Sequence, residues 1–84
     1  MARKPRWQAR LSRPLTLRDG KKLETLADAR RLILALSESD QERNAWQHAA
    51  ALLIEAAESG GDVSAATTQV RIALHLQARG DYMP

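Results

Sequence analysis

The side chains that could perform acid–base chemistry or bind a metal ion are few and are not grouped along this chain. Its two histidines are His48 and His75. Glu55 follows His48 by seven residues, which on one helix separates the two side chains by about 10 Å along the axis, too far for one ion. The chain has no cysteine, so disulfides, thiolate nucleophiles and cysteine-based zinc sites are excluded. We predict no metal site.

Capping explains the serines better than catalysis does. Four of the five fall at predicted helix ends or turns, where a hydroxyl accepts a backbone hydrogen bond, and none stands in a Gly-x-Ser-x-Gly elbow. The pair Gly60-Gly61 lacks the preceding strand and the Lys-Ser/Thr of a phosphate loop. The carboxylates are scattered rather than paired. We therefore predict no enzymatic activity and no cofactor. The serines are Ser12, Ser37, Ser39, Ser59 and Ser64.

Positive charge is the strongest functional signal, and it is gathered at the start of the chain. Residues 1–22 hold eight Lys or Arg and one acid, whereas residues 23–84 hold five basic residues and nine acids. Arginine suits bidentate contacts with phosphate, and a tryptophan within the run can stack on an exposed base. The candidate polyanion-binding residues are Arg3, Lys4, Arg6, Trp7, Arg10, Arg13, Arg18, Lys21 and Lys22.

Several partners suit this basic segment. Nucleic acid or another polyanion is one, an acidic protein is a second, and the third interpretation is a solvated tail that only improves solubility. The whole chain carries a net charge of only +3, and no predicted helix has base-reading residues at its N-terminus. Membrane binding is not expected, because no amphipathic helix accompanies the charge and no apolar run is long enough to span a bilayer. The heavy use of Ala, Arg and Leu favours a bacterial protein, which we expect in the cytoplasm.

The basic segment leads into a predicted β-hairpin. A three-residue turn at 18–20 pairs Leu15 with Leu23 and places both on one face together with Leu17. A two-residue turn would instead mix apolar and polar residues on each face. With the three-residue turn, Gly20 supplies the left-handed residue of a bulge.

Helix boundaries are marked by local capping signals. Thr25 and Asp28 form a capping-box pattern at the start of a first helix, and Ser39 with Glu42 repeats it at the start of a second. Gly60 suits the left-handed position that ends the second helix. Asp62 or Ser64 then caps a third.

The predicted fold is α+β, with an N-terminal two-stranded antiparallel hairpin packed on three α-helices. A two-stranded ribbon is not stable alone, so its leucine face must rest on the helices. Residues 14–84 form one small domain. Residues 1–13 form a basic arm, for which a disordered tail and a short extended segment are both open. The elements are the hairpin at about 14–25 and helices at about 26–37, 40–59 and 63–79.

The third predicted helix has more apolar surface than one core needs. Its first stripe faces the core, and a second stripe lies roughly on the opposite side, as expected for a helix that is central or forms half of an interface. The core is thin, with 15 Ala and no Phe, and thin cores are often supplemented by self-association. The candidate interface residues are Ala65, Ile72 and Leu76.

The layout also resembles a family of short alphaproteobacterial proteins of unknown function, over residues 14–79. The resemblance implies a hairpin-plus-helices fold and no known activity. Its matching pieces are Pro14-Leu15-Thr16-Leu17, Asp19-Gly20, Leu23–Leu26, Asp28-Ala29, Trp46–Ala57, Gly60-Gly61 and Ala65–Ala78.

These observations favour a non-catalytic binding module whose basic arm and hairpin edge contact nucleic acid or another polyanion. The alternative is a protein–protein interaction module or homodimer built on the second stripe of the third helix.

Overall fold

The computed structural model describes residues 6–17 and 19–79 of the chain. A two-stranded antiparallel sheet precedes the helices, which confirms the predicted α+β class. The elements are β1 (Arg10–Thr16), β2 (Lys22–Thr25), α1 (Leu26–Ala35), α2 (Glu38–Gln41), α3 (Asn44–Glu58) and α4 (Val63–Arg79).

The hairpin has the register that its leucines predict. Leu15 lies opposite Leu23, and the Leu17 amide donates to the Lys21 carbonyl over 2.7 Å. Gly20 has a φ of 88°, a left-handed conformation that costs glycine little. The register is fixed because a slip of one residue would turn the leucines away from the core.

The first strand starts earlier than predicted. It begins at Arg10, which lies opposite Thr25, so the predicted start at Pro14 is wrong. Leu11 is 6% exposed and belongs to the core, and its burial ties the start of β1 to the helices. Pro14 lies instead in the stretch where the register shifts, where a missing amide proton interrupts no regular pairing.

The chain before β1 is also held by backbone hydrogen bonds. The Arg6 amide donates to the carbonyl of Ala57 over 2.6 Å. The carbonyl of Trp7 accepts from Ala27 over 2.8 Å, and that of Ala9 accepts from Leu26 over 2.9 Å. Residues 6–9 of the predicted arm are therefore bound to the start of α1 and the end of α3, and residues 10–13 belong to β1.

The predicted second helix, 40–59, is two helices in the structure. The hydroxyl that caps α2 belongs to Ser37, which accepts from the Asp40 amide over 3.3 Å, so the predicted cap at Ser39 is wrong. Arg43 is extended, with a ψ of 139°, and separates α2 from α3. Serine and aspartate bond readily to nearby backbone outside helices, so this stretch forms a cap and a single turn instead of a continuous helix.

The boundaries around α4 follow the predicted signals. Gly60 ends the preceding helix with a φ of 70°. The Asp62 carboxylate accepts from the Ser64 amide over 2.8 Å and from the Ala65 amide over 3.3 Å. Of the two predicted caps, Asp62 is therefore the one used, and α4 covers the predicted range 63–79.

The core is built mainly between α3 and α4. Trp46 is its largest fully buried side chain, with 1% exposure. Alanines on both helices belong to the same buried cluster, and small side chains allow two helix backbones to approach closely. The buried leucines of the hairpin complete the same cluster. The fully buried alanines of the two helices are Ala49, Ala56, Ala57, Ala66 and Ala73.

A threonine that the sequence analysis missed fastens the hairpin to α4. Thr67 is 2% exposed. Its hydroxyl accepts from the Ser12 amide over 3.1 Å and donates to the Val63 carbonyl over 2.8 Å. This hydrogen bond gives the Ser12 amide a partner in the irregular part of β1, where pairing with β2 does not provide one. Thr67 lies beside the predicted core stripe, so apolar periodicity does not reveal it.

We predict that Thr67→Val destabilises the protein by about 1–3 kcal/mol, because the Ser12 amide then lacks its partner inside the fold. Urea denaturation of the variant and the wild type measures this loss. Thr68→Val is the matched control, since Thr68 is the next residue on α4 and is exposed. Equal stabilities of the two variants would contradict the role given to Thr67.

Candidate functional site

The basic residues of the arm and hairpin lie at the surface wherever the structure describes them. Arg3, Lys4 and Arg18 are outside the described residues. The side chain of Lys22 lies on the outer face of the hairpin, because neighbouring strand residues alternate and Leu23 is buried. The described and exposed members of this set are Arg6, Arg10, Arg13, Lys21 and Lys22. We call these five the basic surface.

The acids of the described chain do not neutralise the basic surface through ion pairs. The ion pairs found within residues 6–17 and 19–79 join Arg31 to Asp28 over 3.6 Å and Arg43 to Asp40 over 3.3 Å. Both pairs lie on the helical part of the chain. In the hairpin, the Asp19 carboxylate accepts from the Lys21 amide over 3.0 Å, which is a turn contact. The cations are thus left facing solvent.

Trp7 is held in the fold rather than projecting from it. Its ring is half-buried and packs against the core. The guanidinium carbon of Arg30 lies 5.0 Å from the ring centroid, within the range of a cation–π contact. The predicted stacking residue therefore already has a cation over one face of its ring, which the sequence did not indicate.

A groove between α1 and α3 begins at Trp7. It has a volume of about 260 Å³. Leu34 and Ile54 lie at its rim and are 63% and 50% exposed. The sequence analysis missed this groove, although both residues are apolar positions outside the predicted core stripes. We call it the Trp7 groove, and it is lined by Trp7, Arg30, Ile33, Leu34, Ala50, Leu53 and Ile54.

The second stripe of α4 is only partly covered. Ala65 is half-buried, whereas Ile72 and Leu76 are 41% and 36% exposed. Together with Arg71 and His75 they line a shallow depression of about 240 Å³. The two larger members of the predicted interface are therefore accessible to a partner.

Within residues 6–17 and 19–79, no three His, Asp or Glu side chains are grouped as metal ligands. None of the helices described there combines the length and the apolar character needed to cross a membrane.

Comparisons with protein-family models, with curated proteins and with solved structures gave no match to this chain. The resemblance to the alphaproteobacterial family therefore stays a prediction.

The junction between the hairpin and α1 carries the clearest electrostatic effect. The Asp28 carboxylate accepts two backbone hydrogen bonds, from the Glu24 amide over 2.9 Å and from the Thr25 amide over 3.2 Å. In return, the Asp28 amide donates to the Thr25 hydroxyl over 3.1 Å. The Glu24 bond is the main reason that the pKa of Asp28 lies below the ordinary value of an aspartate. Partial burial opposes it, and Thr25 and Arg31 lower the pKa further. The predicted capping box is confirmed.

We predict that Asp28→Asn lowers the unfolding free energy at neutral pH by about 1 kcal/mol, because a neutral amide accepts these bonds more weakly. A lowered pKa in the folded state means that the carboxylate stabilises the protein above the unfolded pKa, and that this contribution disappears as the pH falls through the folded pKa. The unfolding free energy, measured by urea denaturation at several values between neutral and acidic pH, should therefore change less with pH for the variant than for the wild type. Glu24→Gln, at an exposed carboxylate, is the control that should keep the wild-type slope. An unchanged acid slope in Asp28→Asn would contradict this account.

Proposed function

We propose that the protein is a non-catalytic binding module of the bacterial cytoplasm, whose basic N-terminal arm and hairpin contact nucleic acid or another polyanion. One observation carries the proposal. The five cations of the basic surface are all exposed, and none takes part in an ion pair within the described chain. Unpaired surface cations bind phosphates by releasing the counterions condensed on a polyanion.

The packing of the hairpin supports this proposal, because it fixes where part of the charge lies. Arg10 and Arg13 are on β1, which is anchored by buried Leu11 and Leu15 and by the bond from Ser12 to α4. Cations on a fixed strand lose less conformational entropy on binding than cations on a free tail. The alternative of a tail that only adds solubility does not need such an anchor.

We predict that binding to generic DNA weakens steeply with salt, because phosphate contacts release counterions. Replacing Arg10 and Arg13 with Gln should lower the slope of log affinity against log salt by about 1.4 on single strands and about 1.8 on duplex, if each arginine contacts one phosphate. A fluorescence anisotropy titration at several salt concentrations measures both quantities.

The charge-matched control is Arg31→Gln with Arg71→Gln, two exposed arginines on α1 and α4. It removes the same net charge from outside the basic surface and should change the salt slope little. Salt-insensitive binding, no binding, or equal effects of the two double variants would reject the proposal.

A truncation that tests the arm should not remove residues of β1, which begins at Arg10. Deleting residues 1–5 removes Arg3 and Lys4 and leaves every described residue in place. Deleting residues 1–13 would also remove Leu11, which is buried, and would destabilise the fold. The shorter deletion is therefore the informative one.

A second candidate function is a protein–protein interaction module or homodimer that uses the outer face of α4. The partial exposure of Ile72 and Leu76 favours it. Neighbouring apolar side chains at a surface are a common mark of an interface.

For the homodimer version, we predict that the molecular mass of the wild type rises with protein concentration. The Ile72→Glu variant should stay monomeric, because dimerisation would bury a carboxylate without a partner. Sedimentation velocity over a concentration series measures this. Gln47→Glu adds the same charge at an exposed position of α3 and should not dissociate the dimer. A wild type that is monomeric at every concentration would rule out self-association.

A further inference from the structure

We infer that the Trp7 groove receives an unstacked base of a single-stranded nucleic acid, which stacks on the outer face of the Arg30 guanidinium that lies over the Trp7 ring. This inference rests on the proposed function and names its ligand more closely. The groove and the basic surface would then act together, the cations on phosphates and the groove on a base.

The walls of the groove suit a flat, largely apolar ring. Buried Ile33 and Leu53 lie in the groove, and Leu34 and Ile54 stand exposed at its rim. Leaving two large apolar side chains in water is unfavourable, at roughly 25 cal/mol for each Å² of apolar surface. A base entering the groove covers this surface with its own π face, and such stacking does not depend on the identity of the base.

Arg30 supplies the charge that selects a polyanion. Its side chain is exposed, and its guanidinium carbon lies 5.0 Å from the Trp7 ring centroid. A guanidinium is planar, so it stacks on an aromatic ring and still presents donors to a phosphate. Its neighbour Arg31 is paired with Asp28, whereas no ion pair involves Arg30 within the described residues. An apolar groove with a cation at its entrance is complementary to a nucleotide.

The groove is also continuous with the basic surface along the chain. Trp7 lies between Arg6 and Arg10, and the backbone bonds of Arg6 to Ala57 and of Trp7 to Ala27 fix this segment across the ends of α3 and α1. A single nucleic-acid strand whose phosphates contact these arginines would pass the entrance of the groove. A duplex keeps its bases stacked and cannot insert one without paying for unstacking. The arrangement therefore favours single strands.

The experiment compares a short oligothymidine with a duplex of the same length, by anisotropy and by tryptophan fluorescence. Trp46 is 1% exposed, whereas Trp7 is half-buried, so quenching by the ligand reports on Trp7. We expect oligothymidine to quench the fluorescence and to bind about fivefold or more tightly than the duplex, as the lower end of base–aromatic stacking requires.

Arg30→Ala and Arg31→Ala form the matched pair of variants. Both remove one exposed arginine from α1, but only the first removes a wall of the groove. Arg30→Ala should abolish the preference for single strands, and Arg31→Ala should keep it. Leu34→Glu tests the rim of the groove separately. Position 34 is exposed, so the fold accommodates a charge there, and the new carboxylate would repel the phosphates of the nucleic-acid strand.

The outcomes separate this inference from the proposed function. Salt-dependent binding with equal affinity for both ligands and no quenching would overturn the base-binding groove and leave the polyanion-binding surface standing. The same holds if Arg30→Ala and Arg31→Ala behave alike. Absence of salt-dependent binding to either ligand would overturn both. Quenching by an amphipathic peptide but not by oligothymidine would make the groove a protein-docking site and overturn the inference.

Discussion

The fold depends on how a two-stranded hairpin is attached to helices. Such a ribbon has too little core of its own to be stable. Here three buried leucines, Leu11, Leu15 and Leu23, pack against the helical core. The Thr67 hydroxyl also accepts a hydrogen bond from the Ser12 amide of β1, which lies where strand pairing is irregular. The hydrophobic contacts are not directional, whereas the hydrogen bond requires one position of β1 along α4. The bond therefore sets the place of the arginines on that strand.

An alanine-lined core has a consequence for the surface. Because small side chains fill the space between α3 and α4, the helices pack closely, and few bulky residues are needed inside. Some of the larger apolar residues then remain outside, and they lie in two separate places. Leu34 and Ile54 border the Trp7 groove, while Ile72 and Leu76 lie on the outer face of α4. The first place adjoins the basic surface, so it has both apolar area and charge to offer a ligand.

Part of the candidate site could be predicted from the sequence. The exposure of the described arginines and lysines was expected, since charged side chains are rarely buried without a partner. Trp7 was chosen as a stacking residue from its position in the basic run, but its half-buried setting, its contact with Arg30 and the groove with Leu34 were not predicted. These features join residues that are distant in sequence, and no local pattern records such a contact.

What the sequence alone determined is the set of features that neighbouring residues control. The hairpin register follows from Leu15 and Leu23, and the capping box follows from Thr25 and Asp28. The start of α4 was limited to Asp62 or Ser64 as its cap, and the structure selects Asp62. Tertiary structure decided the start of β1 at Arg10 and the docking of the hairpin through Thr67. The physical reason is range. Turns and caps are satisfied within a few residues, whereas the fate of a strand end or a buried hydroxyl depends on which distant group the folded chain brings beside it.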